Sequence, residues 1–188
     1  METGRWAEVA SALHGAWRLA CFDRAGLYFF ARDAGALRRS FLAAVLVFPA
    51  FLILMPLRIP PEAWQHGHVL RILLVETIGY VVGWTAFPLI MLPVSRFLGR
   101  EALWPGFIIA WNWSQVLQSG FVMAMLGLAG SGVVPAVGIG WLIEALVAVY
   151  EWFIARVALR LAAPPAALVV LIDLVTSELL SRLVAALR

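Results

Sequence analysis

The chain has 188 residues, 63% of them hydrophobic and only 13% charged, with 14 arginines and no lysine, a formal net charge of +3 and a mean hydropathy of +0.93. A water-soluble domain of this size has no way to hide so much apolar surface, and so few charges exclude a disordered chain. One cysteine, Cys21, excludes an internal disulfide; no nucleotide, metal or catalytic motif stands out, so no nucleic-acid partner, cofactor or resident metal is expected.

The expected fold class is all-α: a polytopic membrane helix bundle of about five transmembrane helices behind an N-terminal amphipathic interfacial helix. A hydrocarbon core of ~30 Å needs about 20 apolar residues of helix, whereas a β-barrel would show short alternating segments. Residues 1–39 are too polar to cross. There Trp6, Val9, Ala10, Leu13, Trp17 and Ala20 recur at helical spacing, with Arg5, Glu8, Ser11 and Arg18 on other faces. That pattern suits a helix at the interface, packed on its own membrane domain or recruiting a cytosolic partner. The run Leu27, Tyr28, Phe29 and Phe30 offers a second docking point, and the segment lacks the features of a secretory signal.

Residues 40–188 form the expected membrane domain, with spans at about 40–57, 69–94, 104–128, 133–155 and 165–186. Residues 40–57, 77–95 and 102–143 contain no charge. The last of these runs must fold back on itself, and its breaker cluster, Gly127, Gly130, Ser131, Gly132 and Pro135, places the turn. The second span has to tolerate Arg71 at its edge and Glu76 inside, and the fifth has to tolerate Asp173 and Glu178. Trp64, Trp104, Trp141 and Trp152 fall near helix ends, where indole rings favour the headgroup region. No internal repeat is evident.

Arginine placement orients the chain. Arg32, Arg38 and Arg39 precede the first span, Arg96 and Arg100 follow the second, and Arg156 and Arg160 follow the fourth. All three segments belong in the cytoplasm, opposite residues 58–68 and the uncharged turn at 127–135. The N-terminus is therefore expected inside and the C-terminus outside, in the inner membrane of a bacterium. Arg71, Arg182 and Arg188 break the rule, which leaves a tilted interfacial helix as the alternative for the fifth span.

Polar groups at membrane depth are expensive and are functional candidates by default. Glu76, Tyr80 and Trp84 share one face of the second span, with Gly79 and Gly83 as a small-residue pair on an adjacent face for close helix packing. Pro88 and Pro93 kink or end that span. Asn112, Gln115 and Gln118 form an amide ladder on the third, with Ser119 beside them. Glu144 and Glu151, seven apart, share a face of the fourth, and Asp173 is near the middle of the fifth. These groups either converge on one polar interior, with no arginine at the membrane centre to balance them, or make separate interhelical hydrogen bonds of ~0.6 kcal/mol each. Glu151 also reads as part of a cytoplasmic boundary with Trp152 and Arg156. The pair His66 and His68 near Glu62 is too small a ligand set for a metal site, and His14 lacks a nucleophile nearby in sequence.

The strings Arg39-Ser40-Phe41 into Val47-Phe48-Pro49, Glu76-Thr77-Ile78-Gly79-Tyr80 through Phe87-Pro88-Leu89, and Trp111 through Gln118 resemble a group of small, uncharacterised integral membrane proteins of alphaproteobacteria, over most of the chain. More remotely, a cytoplasmic N-terminal segment followed by five spans resembles the Yip1-like superfamily. The resemblance implies an inner-membrane protein and an architecture, and it brings no activity and no functional residue. The leading expectation is a non-enzymatic membrane scaffold or accessory protein that binds lipid, another membrane protein or a second copy of itself. The alternative is a small transporter or channel that passes protons, cations or a solute through the polar cluster. Where the side chains point discriminates the two.

Overall fold

The structure, a computed structural model, describes residues 2–31, 33–66, 68–133 and 137–188. Expectations that rest on Arg32 and Pro135, and on the side chains of Arg5, Arg58 and His66, lie outside the described residues. Those residues form helices and no strand: α1 (Glu2–Ala20), α2 (Ala36–Ser40), α3 (Leu42–Arg58), α4 (Pro61–His66), α5 (Val69–Phe97), α6 (Trp104–Gly130), α7 (Ile139–Ala158) and α8 (Ala163–Leu187), with short 3-10 turns at Arg24–Phe29 and Glu101–Leu103.

Local chemistry explains most boundaries. α6 starts with proline at a position where the missing N–H costs nothing and runs to the glycine-rich turn. α5 continues through Pro88 and Pro93 to Phe97, beyond the expected end; the Trp104 indole on α6 donates to the Pro88 carbonyl at 3.1 Å. α7 begins at Ile139, six residues later than expected, because Gly138 takes a left-handed backbone conformation (φ +82) and sets the entry to the helix there.

Two helical segments, Ala36–Leu57 and Val69–Phe97, are long and apolar enough by composition to cross a membrane. α6, α7 and α8 are long helices too but are not among those two. Of the five expected spans, two thus have the length and composition to cross a membrane.

α6 is the central element, packed against α1, α2, α3 and α7, while α8 joins α7 to α5. Its first half is buried without interruption from Phe107 to Ser114. α1 lies against α6 and α7 by a face of Ala12, Gly15, Ala16 and Leu19, whereas Trp6 and Trp17 are exposed. Of the expected apolar stripe, Val9 and Leu13 also pack against this core. Small residues allow backbones to approach more closely than tryptophan does: a Cβ on Gly26 would meet the Gly15 carbonyl oxygen at 2.5 Å. Tyr150 of α7 donates to the Ala16 carbonyl at 2.7 Å, and Ser11 to that of Phe29 at 2.8 Å. At the end of α1, Asp23 accepts from the Ala25 N–H at 2.9 Å and pairs with Arg18, leaving Cys21 exposed beside it. Arg39 of α2 joins Glu8 of α1 at 2.9 Å and also pairs with Asp33. That guanidinium, with the Gly35 N–H, holds the Asp33 carboxyl down at about 2.

Candidate functional site: a polar cavity between five helices

α3, α5, α6, α7 and α8 surround a cavity of about 410 Å³. The space is a cleft partly open to the surface rather than a sealed void. Of the residues expected to cluster, Glu76, Tyr80, Asn112, Gln115 and Asp173 line it. Three features place them there. Tyr80 of α5 donates to the Ala44 carbonyl at 2.5 Å, which ties α5 to α3. Asn112 donates from Nδ2 to Ser40 Oγ at 2.9 Å, and that hydroxyl in turn donates to the Leu37 carbonyl at 2.7 Å, tying α6 to α2. Gly79 lies so close to α8 that an added Cβ would meet Val184 Cγ2 at 2.5 Å; at Gly83 the nearest approach, to Leu180 Cδ2, would be a looser 3.3 Å.

Those two glycine contacts also fix a register. Four steps forward on α5, from Gly79 to Gly83, match four steps back on α8, from Val184 to Leu180, so the two helices run antiparallel. The same register brings Arg188 beside Glu76, with Nε 3.2 Å from Oε1. The charges are close enough to pair, although the Nε–H is not directed for a hydrogen bond. Arg71 donates to the Leu187 carbonyl at 3.1 Å nearby. Continuing the register puts Asp173 level with residue 90, roughly 21 Å from Glu76 at ~1.5 Å per residue. The cavity thus has an ion pair at one end and a second acidic group toward the other.

That second group is a pair. Glu151 of α7, 3% exposed, lines the cavity together with Asp173, and the two carboxyls are near enough to act on one another electrostatically. Gln115 and Gln118 direct their amides toward Glu151. Gln118 is itself buried, lines a separate groove beside Trp17 rather than, as expected, this cavity, and its Nε2 completes a hydrogen bond with no described residue. Glu151 has no ion-pair partner among the described residues: the neighbouring Arg156 guanidinium instead sits over the Trp152 ring, 5.2 Å from its centroid. Rings fill the space between the two acidic ends. Phe51 and Tyr80 are 4.6 Å apart between centroids, Tyr80 and Trp84 6.1 Å, and Phe87 stacks on Trp111 at 4.5 Å; all five line the cavity.

Three further expectations are corrected. Glu144 is exposed and outside the cavity. It shares a helical face with Glu151 but stands about 10 Å further along the axis, where Leu142 and Leu146 beside it are exposed too. Glu151 belongs to the interior rather than to a boundary with Arg156. Third, a positive charge does reach the acids: Arg188, 112 positions from Glu76 in sequence, which no local spacing rule connects to it. Ser177 and Ser181, also unanticipated, follow from Asp173 at helical spacing on α8 and line the cavity wall. Histidine, cysteine and carboxylate side chains form no cluster fit for a metal ion among the described residues.

The chain matches no known protein-family model, no curated protein and no solved structure.

Proposed function

We propose that this chain is a multi-pass membrane protein of the bacterial inner membrane, N-terminus cytoplasmic, whose five long helices enclose a polar cavity that takes up a small solute and passes it across the bilayer. One observation carries the reading: polarity is distributed inside out. Leu52 and Ile53 on α3, Ile78 and Val81 on α5, Leu146 on α7 and Leu171, Leu174 and Leu179 on α8 are exposed, while Glu76, Asn112 and Glu151 are buried. In water that exterior would be a large aggregation liability. In lipid it is the expected surface, and one acid of α7, Glu151, and one of α8, Asp173, turn inward, away from hydrocarbon, while Glu144 stays exposed near the start of α7. Glu178 and Arg182 remain outside as an i,i+4 pair at 2.6 Å, close enough to the end of α8 to reach the interface. The arginine pattern and the Yip1-like resemblance support the same orientation and span order.

Purified protein reconstituted in lipid vesicles tests the reading. Uptake of protons, cations or small polar solutes is expected, reduced by Glu151→Gln and by Asp173→Asn and unaffected by Glu144→Gln. Absence of flux across that panel, or flux insensitive to both interior substitutions, overturns it.

A scaffold role is the second reading, favoured by one feature. Beside the exposed Trp17 lies an apolar groove of about 550 Å³ lined by Phe22, Val116, Phe121, Leu146 and Val149. Native purification in mild detergent with mass spectrometry would favour it if a stoichiometric membrane partner or a second copy is retained and Trp17→Ala or Phe121→Ala releases it.

A further inference from the structure

The cavity's chemistry narrows the class of solute. Its charged and titratable walls are Glu76 and Tyr80 from α5, Glu151 from α7, and Asp173 and Arg188 from α8; α3 and α6 contribute none. Arg188 is committed to Glu76, so the acidic excess is located at Glu151 and Asp173. A carboxyl as enclosed as Glu151, with no cationic partner of its own among the described residues, is poorly placed for an anion and well placed for a positive guest.

Between the acidic ends the walls are aromatic. The π faces of tryptophan and tyrosine attract cations by their quadrupole and prefer large, weakly hydrated ones. Trp111 and Gln115 stand one turn apart on α6, so the ring is a single helical step from the amide that faces Glu151. A bare metal ion would need several oxygen ligands in a shell around it, which two carboxyls flanked by ring faces do not make. A proton alone would need no space of 410 Å³, a volume in the range of small-ligand sites.

We propose that the cavity is a binding site for an organic ammonium cation, with its charge between the Glu151 and Asp173 carboxyls and its alkyl or aryl groups against Trp84, Phe87 and Trp111. This rests on the solute-binding reading above and gives it a substrate class. Gln115, on the cavity wall, directs its amide toward Glu151.

Equilibrium binding to the full chain in detergent micelles tests the site without requiring transport. The probes are radiolabelled choline, tetraethylammonium and benzyltrimethylammonium, each competed with dimethylbutanol, the uncharged carbon isostere of choline, and with sodium chloride. Saturable binding of at least one ammonium is expected, resistant to the isostere and to sodium. Glu151→Gln or Asp173→Asn should weaken it by about tenfold or more, as loss of a charge contact does. Trp84→Ala should weaken it several-fold and Trp84→Phe should retain most of it, while Glu144→Gln leaves it unchanged. If Trp84→Ala does not fold, Trp84→Leu takes its place, removing the ring while keeping the bulk. No saturable binding of any of the three cations, equal competition by the isostere, or insensitivity to both carboxyl substitutions overturns the proposal. Ammonium binding without vesicle flux would leave this site standing and remove transport; flux of an uncharged or anionic solute without ammonium binding would do the reverse.

Discussion

The two halves of the bundle are built on opposite terms. Where α1, the first half of α6 and the end of α7 meet, Ala16, Leu19, Phe107, Ile108, Ile154 and Leu159 are closed off completely, and backbones approach through Gly15 and Gly26. Across α6, the α5–α8 side leaves a cavity lined by three carboxyls and one guanidinium, and only Glu76 among the three pairs with it. Stability and polarity are thus segregated. The first half holds the helices in place by contact; the second leaves space between them.

Substitutions on each side sharpen that contrast. Leu19→Ala removes a fully enclosed side chain from the dense half and is expected to cost about 3 kcal/mol, the largest loss here, read as a fall in the midpoint of thermal unfolding in detergent. Gly79→Ala pushes a methyl into Val184 at the one tight α5–α8 contact and should cost ~1–2 kcal/mol; Val184→Ala in the same chain should return much of it, which a double-mutant cycle measures. Glu151→Gln and Asp173→Asn are expected to leave the unfolding midpoint unchanged or raised, since each removes a carboxylate that lacks a counter-charge of its own. A marked loss of stability in either would mean that the cavity is a structural network, and the contrast would collapse.

The smallest effect lies in the N-terminal segment. Asp33 titrates at about 2 in the fold, against an ordinary value of 3.8. Its depressed value means that its pairing with Arg39 contributes above pH 4 and is lost as the pH falls toward 2. The group is well exposed and screened, so Asp33→Asn should alter the unfolding midpoint barely at neutral pH and flatten its slope only in that acid window.

The pattern of what was legible in the sequence follows the range of the interactions. Hydropathy and breakers located the long helices to within a few residues, with α7 the exception because the conformation of Gly138 is a backbone property that its neighbours do not announce. Helical spacing grouped Glu76 with Tyr80, and Asn112 with Gln115, since three- and four-residue steps are local geometry. On α1 it marked a stripe whose Val9 and Leu13 reach the core while its tryptophans stay exposed beside the small residues that pack most closely. It could not separate Glu144 from Glu151, which are equivalent in phase and differ only in whether another helix stands opposite. Nor could it pair Arg188 with Glu76, because that contact depends on the register of α8 against α5, set by two glycines.

The solitary Cys21 has a practical corollary. Standing exposed at the end of α1 as the chain's one thiol, it is a built-in address label: under the proposed orientation a membrane-impermeant maleimide should leave it unmodified in intact cells and a permeant one should tag it, whereas tagging by both would reverse that orientation, so that sidedness can be read from the natural sequence before any engineered reporter is added.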